Sequence, residues 1–383
     1  MSIDFLREAL WLKSRTRGYL MLFAAFNVAT LAFLVLTSRE GVDRNGFLLG
    51  TDFLSFWTTG RMLHGGGAVY DQAAHIAAQS AYFVQQDGAF TAFFYPPSFL
   101  PFCWPLGLAG YFPALAAWLL ATGALYVVAV TAWRRQQQAT QISRWLLLAA
   151  FPPVLLTITH GQTSFLLAGL LGLDALLVPR APIASGVLFG LATIKPQFGV
   201  LVPIALLLTG QWRVIAAAAV TSITLALAAS LMFGFEQWSQ WAGLGTNVQS
   251  TMDGGGVGFA KMMSAFAAAR LLGLPILVSY ALQAFVSLGV VVALVLVAFR
   301  ARWSVGIAAV MLAVLIWLAA HKDHMPWERI IIALAFAAPL FARPLAMDAG
   351  VPIMPLALVA LFALVTRRAL SQDSTSVPEG ATA

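Results

Sequence analysis

Repeated apolar runs are the feature that most limits what this chain can fold into. The first extends from Gly18 to Thr37. The later runs lie at 98–133, 145–158, 163–178, 182–194, 198–209, 214–233, 275–299, 304–320, 330–342 and 351–366. About 20 apolar residues cross a bilayer as a helix, so the runs predict an all-α polytopic membrane protein of about ten to twelve segments. Several runs are shorter, and short helices at membrane depth are tolerated where they line a cavity.

Charged residues are scarce and stand at the ends of these runs. Only 10% of the chain is charged and 60% is hydrophobic, whereas soluble domains carry about 25% charge. The formal net charge is +7, but Lys and Arg occur singly or in pairs beside apolar runs, as the positive-inside rule describes. This pattern argues for membrane lipids and against nucleic acid as partners. The single cysteine, Cys103, excludes an intrachain disulfide.

Basic residues before the first run predict a cytoplasmic N-terminus. They are Arg7, Lys13, Arg15 and Arg17. Residues 38–95 then form a long outer loop, for which we predict two or three short helices on the outer membrane face. Lys195 and the 234–262 and 321–329 loops are expected on the same side. We predict one integral domain over 1–370 and a disordered polar tail at 371–383.

A carboxylate among aromatic residues marks the outer loop. Asp52 directly precedes Phe53, with Phe56 and Trp57 close behind. One interpretation is a helix N-terminal acid, with Thr51 as the cap and Asp52 in the first turn. The other is a general base that the helix N-terminus keeps ionised and the aromatic neighbours shield from water. The local pattern leaves both open.

Four further residues are candidates for substrate contact. Lys195 lies between two short apolar runs, where it could bind phosphate or extend as a snorkelling lysine. Arg61, nine residues after Asp52, could bind phosphate or lipid headgroups, or be a simple surface arginine. Gln162 could bond a sugar hydroxyl or the backbone of a broken helix. Tyr95 could stack on a sugar or belong to the interfacial aromatic belt.

The densest polar cluster extends from His321 to Arg329. His321 and His324 could bind a metal with Asp323 or Glu328. The run could equally be a solvated loop, or His321 could contact substrate.

Two sequence patterns argue against other ligands. The glycine-rich stretch after Asp253 lacks the Gly-Lys-Ser/Thr of a P-loop, so nucleotide binding is not predicted there. The chain also contains no D-x-D pair, which argues against an obligatory divalent metal. Asp253 remains a lesser candidate for the carboxylate.

Several short stretches occur in a characteristic order. They are Asp52–Trp57, Gly65–Asp71, Phe94–Leu100 with Pro105–Leu106, Gly161–Ser164, and Ala184–Gly186 with Ala192–Pro196. Together they resemble glycosyltransferase family 87 of the polytopic GT-C superfamily, over roughly residues 18–345. The resemblance implies a GT-C-like helical bundle whose catalytic carboxylate lies in the first outer loop, here Asp52.

The resemblance also implies a function. Such enzymes move a sugar from a polyprenyl-phosphate carrier to a lipid or glycan hydroxyl on the non-cytoplasmic face of the plasma (inner) membrane. We therefore expect an inverting hexosyltransferase, with mannose as the family's sugar and the lipid-linked donor as co-substrate rather than a cofactor. Asp52 would be the base and Lys195 the phosphate cation, with His321, Gln162 and Tyr95 as substrate contacts. Alternatives are a transporter or flippase for a lipid-linked sugar, and an assembly factor without activity.

Overall fold

The computed structural model describes residues 13–44, 46–84, 90–136, 142–196, 201–253, 259, 262, 264–300 and 326–371. These residues form helices and two isolated bridges, Arg39–Val42 and Val42–Leu48, and no β-strand. The helices are α1 (Lys13–Thr37), α2 (Phe53–His64), α3 (Gln72–Ser80), α4 (Leu100–Cys103), α5 (Tyr111–Gln136), α6 (Arg144–Ala150), α7 (Pro152–His160), α8 (Ser164–Leu177), α9 (Pro182–Ala192), α10 (Leu201–Leu208), α11 (Trp212–Phe233), α12 (Glu236–Asp253), α13 (Ala265–Leu271), α14 (Ile276–Arg300), α15 (Pro326–Asp348) and α16 (Ile353–Ser371). The predicted all-α class is confirmed.

Four of these helices contain segments long and apolar enough to cross a membrane. The segments are Thr16–Thr37, Tyr111–Trp133, Trp212–Phe233 and Ile276–Ala293. Helices α8 and α9 are apolar but shorter. The described residues thus confirm a polytopic membrane protein, although the expected ten to twelve segments exceed these four full-length spans.

The chain divides into two compact units. The first comprises Met1–Gly199 and Arg213–Ser250, and the second Val200–Trp212 and Thr251–Ala383. The first unit contains the outer loop. It also contains every predicted site residue except His321, which lies outside the described residues.

A pair of prolines divides the apolar run at 145–158 into α6 and α7. Proline has no backbone N–H, so Pro153 cannot bond the carbonyl of Ala149 four residues earlier. The buried Asn27 of α1 takes that role, and its Nδ2 donates to the Ala149 oxygen at 2.9 Å. A polar residue within the first span is thereby explained by a helix break more than a hundred residues later.

The outer loop contains two helices, α2 and α3, within the predicted number. Helix α2 is not a surface helix, however, because every side chain from Phe53 to Gly60 is buried. Gly60 packs against Gly107, and a Cβ added at Gly60 would lie 2.3 Å from the Cys103 carbonyl oxygen. The absence of a side chain at this position lets α2 enter the protein interior instead of lying on the membrane face.

The second unit contains a buried ion pair between α15 and α16. Arg368 donates through Nε and Nη2 to the two carboxylate oxygens of Glu328, whose exposed fraction is 2%. Arg367 lies over the Trp327 ring, 4.9 Å from its centroid.

Two helices were not predicted from the sequence. The predicted 234–262 loop contains α12, and α13 follows it. Helix α12 has a polar composition with several glycines, glutamines and serines, so no apolar run marked it.

Candidate active site

The backbone before α2 is fixed by the end of α7. Gly50 N–H donates to the Thr159 oxygen at 2.8 Å, and Asp52 N–H donates to the His160 oxygen at 2.9 Å. The last carbonyls of a helix lack intrahelical partners, and here the turn before α2 satisfies two of them. Tyr111 Oη adds a bond of 2.7 Å to the Gly50 oxygen. Asp52 is therefore held at a junction of three parts of the chain.

Asp52 occupies the N-cap position of α2, but its side chain makes no capping hydrogen bond. The expectation that Thr51 caps the helix and Asp52 lies in its first turn is wrong by one residue, since α2 begins at Phe53. The carboxylate turns instead toward Gln162, whose Nε2 donates to Asp52 Oδ2 at 2.6 Å. Asp52 therefore lies at the N-terminus of α2, as the first interpretation has it, but its side chain bonds Gln162 and not the helix backbone.

Gln162 is itself oriented. Ser164 Oγ donates to Gln162 Oε1 at 3.2 Å, which leaves the amide nitrogen facing Asp52. A hydrogen bond to an ionised carboxylate is shorter and stronger than one between neutral groups. The contact that the Gln162 amide nitrogen makes in the structure is to the Asp52 carboxylate, which neither role considered from the sequence included.

A glycine allows this approach. Gly161 has a φ of +66°, and a Cβ there would lie 2.5 Å from Phe53 Cβ. Glycine is the residue that adopts positive φ without a steric penalty. Trp118 Nε1 donates to the Gly161 oxygen at 3.1 Å and fixes the turn that carries Gln162.

Tyr95 and Lys195 form the other side of the site. The Tyr95 ring stacks on Phe99, with centroids 4.4 Å apart, and its hydroxyl lies 3.1 Å from Thr163 Oγ1. Lys195 Nζ lies 5.2 Å from the centroid of the Tyr95 ring, within cation–π range.

Electrostatic interactions connect Lys195 and Tyr95 to the Asp52 carboxylate. Burial lowers the pKa of Lys195, and the negative charge of Asp52 acts in the opposite direction. Burial raises the pKa of Tyr95, the hydrogen bond to Thr163 opposes this, and the Asp52 charge adds to it. Tyr95 is thus a protonated phenol at neutral pH, and Asp52 stabilises the charged form of Lys195. Asp52, Gln162, Lys195 and Tyr95 meet in one site.

Side chains hold the extended segment that carries Tyr95. Gln79 Nε2 donates to the Thr91 oxygen at 2.7 Å, and Thr91 N–H donates to Gln79 Oε1 at 3.1 Å. Tyr70 Oη donates to the Tyr95 oxygen at 2.9 Å, and Trp241 Nε1 to the Phe94 oxygen at 3.1 Å. These contacts replace the ladder that a helix or sheet would supply. Apart from Tyr70, which belongs to the Gly65–Asp71 stretch, no local motif marked the residues that make these contacts, since their partners lie elsewhere in the chain.

Two other candidates, the guanidinium of Arg61 and the carboxylate of Asp253, make contacts of their own. Arg61 is exposed on α2, where Nη1 donates weakly to the Gly107 oxygen at 3.5 Å and the guanidinium lies 6.0 Å from the Trp57 ring centroid. Asp253 accepts a hydrogen bond of 2.7 Å from Tyr280 in the second unit. Neither is brought to Asp52 by these contacts. Within the described residues, no group of three or more His, Cys, Asp and Glu side chains could hold a metal ion.

Helical spans together with a polar site in the connecting segments define an integral membrane protein with a candidate active site outside the long helices. The chain belongs to glycosyltransferase family 87, whose family model matches residues 93–321, more than half of its length. No curated protein and no solved structure matches it. The match confirms the suspected family and a glycosyltransferase. It includes Tyr95, Gln162 and Lys195 and begins after Asp52.

Proposed function

We propose that this glycosyltransferase moves a hexose, with mannose as the expected sugar, from a polyprenyl-phosphate donor to a lipid or glycan hydroxyl. The site would face the non-cytoplasmic side of the plasma membrane. The observation that carries the proposal is one carboxylate, Asp52, bonded at 2.6 Å by Gln162 and acting electrostatically on Lys195. A single base beside a cation is what direct displacement of a phosphate leaving group requires.

In the proposed step, the acceptor hydroxyl attacks the anomeric carbon while its proton passes to Asp52. The bond between the anomeric carbon and the phosphate oxygen breaks, and the electron pair leaves with the polyprenyl phosphate. Lys195 balances the charge that develops on that phosphate. One displacement inverts the anomeric configuration.

Gln162 serves the base in this scheme. Its amide occupies Asp52 Oδ2 and leaves Oδ1 for the acceptor hydroxyl. The protonated Tyr95 supplies a ring beside Lys195, which keeps the ammonium near the carboxylate. Gln162 thus acts as a positioning residue rather than the sugar contact expected from the sequence.

The placement suits a lipid-linked donor. The site residues lie in connecting segments: Asp52 and Tyr95 between the spanning helices α1 and α5, Gln162 after α7, and Lys195 after the short apolar helix α9. A polyprenyl phosphate has its chain in the bilayer and its sugar at the surface, so a site in the segments outside the spanning helices suits the reacting carbon.

The test is sugar transfer by purified wild type, Asp52→Asn and Asp253→Asn. The probe is radiolabelled polyprenyl-phosphate mannose, with total membrane lipid as acceptor. We expect transfer by wild type and Asp253→Asn, and a loss of about a hundredfold or more in Asp52→Asn. Equal transfer by wild type and Asp52→Asn would exclude Asp52 as the base.

Two further outcomes bear on the class of donor and on the transporter alternative. Transfer from a nucleotide sugar but not from the lipid-linked sugar would overturn the donor assignment. Movement of the labelled donor from one leaflet of the vesicle membrane to the other, without a new glycosidic bond, would favour a flippase.

A further inference from the structure

A buried histidine links the two helices of the outer loop. His75 of α3 has Nε2 3.1 Å from Thr59 Oγ1 of α2 and Nδ1 2.9 Å from Gln79 Nε2. The exposed fractions of Thr59, His75 and Gln79 are 0%, 3% and 2%. None of these residues touches the carboxylate directly, so their effect on the site must pass through other groups.

The orientation of each side chain in this series of hydrogen bonds is determined by its partners. Gln79 Oε1 accepts from Thr91 N–H, and Nε2 donates to the Thr91 oxygen, so the Gln79 amide cannot be flipped. The second Nε2 hydrogen then points to His75, and Nδ1 must accept it. His75 is therefore neutral, with its proton on Nε2 and donated to Thr59. The result is that both backbone groups of Thr91 are clamped by one buried amide.

Thr91 connects this series of hydrogen bonds to the peptide unit before Asp52. Its Oγ1 donates to the Thr51 oxygen at 3.0 Å. That oxygen belongs to the same peptide unit as the Asp52 N–H, which donates to the His160 oxygen at 2.9 Å. A peptide unit is planar, so a bond at each end fixes its plane. The direction in which the Asp52 side chain leaves the backbone is fixed with it.

We propose that Thr91 is a positioning residue for Asp52, held in register by the His75–Gln79 pair. The inference rests on the proposed role of Asp52 as the base. Thr91 also begins the segment that leads to Tyr95, four residues later, beside Lys195. The clamp therefore sets the distance between the base and the phosphate-binding side of the site.

Two variants of Thr91 separate the hydroxyl from the shape of the side chain. Thr91→Val keeps the volume and removes the bond to Thr51, and Thr91→Ser keeps the hydroxyl. We expect Thr91→Val to lower kcat by about tenfold with KM for the donor unchanged; this corresponds to about 1.4 kcal/mol, within the range for one hydrogen bond. Thr91→Ser should retain kcat within about twofold of wild type. Thr91→Ala serves as a second variant lacking the hydroxyl if the valine does not fold.

The matched control is Thr209→Val, which removes a hydroxyl directly after α10 that donates to the Ala205 oxygen of that helix. The assay is transfer from radiolabelled polyprenyl-phosphate mannose, with unfolding temperatures measured in the same detergent. A kcat loss in Thr91→Val, rescued by serine and absent from Thr209→Val, supports the inference.

Several results overturn it. They are an unchanged kcat in both Thr91→Val and Thr91→Ala, an equal loss in Thr91→Ser, and a loss of kcat that only follows a lower unfolding temperature. Asp52→Asn in the same assay separates the two proposals. If Asp52→Asn is inactive while Thr91→Val equals wild type, the base stands and the positioning role fails. If Asp52→Asn is fully active, or wild type transfers nothing, the proposed function fails and the inference with it.

Discussion

Acid should destabilise this protein through one buried side chain, His75. Burial lowers the pKa of His75 from 6.5 to about 4. The ring is enclosed by Thr59, Gln79 and the stacked ring of Phe93, whose centroid lies 5.9 Å away. A second proton on the ring would set Nδ1–H against the Gln79 amide, which is also a donor. The folded state therefore resists protonation that the unfolded chain accepts.

The sign and size of the effect follow from this difference. Above pH 6.5 the ring is neutral in both states, and His75 adds no pH dependence. Between pH 6.5 and about 4 the unfolded chain binds a proton that the folded chain excludes, so the free energy of unfolding falls as the pH falls. The difference between the two pKa values corresponds to about 3 kcal/mol of unfolding free energy. The unfolding free energy stops falling once the pH is below the folded-state pKa.

The measurement compares wild type with His75→Gln, which keeps a hydrogen-bonding side chain without a titrating nitrogen. Unfolding free energies come from denaturant titrations in detergent micelles between pH 7 and pH 4. The stability advantage of wild type over the variant should shrink by about 3 kcal/mol across this range. His64→Gln is the control, because it removes an imidazole that is exposed and not buried. A constant difference between wild type and His75→Gln would refute the reasoning.

Three further predictions concern stability and the turn that carries the carboxylate's partner. Gly161→Ala should cost about 1–2 kcal/mol from positive φ alone, and it should reduce sugar transfer as well as unfolding temperature; normal transfer would contradict the role given to this turn. Asn27→Leu should destabilise the protein by about 1 kcal/mol, because the Ala149 carbonyl loses its donor, and thermal unfolding in micelles tests this. Arg368→Met should cost about 3–5 kcal/mol, because the buried Glu328 carboxylate loses both guanidinium hydrogen bonds and keeps Arg367 Nη1 only at 3.9 Å. Adding Glu328→Gln should restore most of that loss, and a double variant as unstable as the single one would speak against the ion pair.

Much of the fold could be read from apolar runs, and the exceptions have physical causes. Runs predict α1, α5, α11 and α14 because a helix in lipid must satisfy its backbone internally and present apolar side chains outward. Helix α12 escaped because its side chains are polar. Helix α2 was expected on the membrane face because it lies in the long outer loop, whereas the close approach of Gly60 and Gly107 buries it.

Some residues of the candidate site could likewise be predicted from the sequence, and others could not. Residue type and position marked Asp52, Gln162, Lys195 and Tyr95, since polar groups between apolar runs are costly unless they have a role. Arg61 met the same criterion, but its contacts are to Trp57 and Gly107. Thr91 and Gln79 gave no signal, because a threonine or glutamine in a polar loop is ordinary until its partners are known.

The sequence by itself determined that this is a helical membrane protein, because lipid accepts few backbone solutions and the chain's apolar runs meet them. The order of its short motifs, and not these runs, indicated the glycosyltransferase family. It also limited the chemistry to a handful of polar side chains. Only the tertiary structure decided that Gln162 bonds Asp52 across 110 residues, and that one peptide unit before α2 is bonded at both ends. Hydrogen bonds between distant segments depend on how helices pack and turn, and no local pattern specifies that.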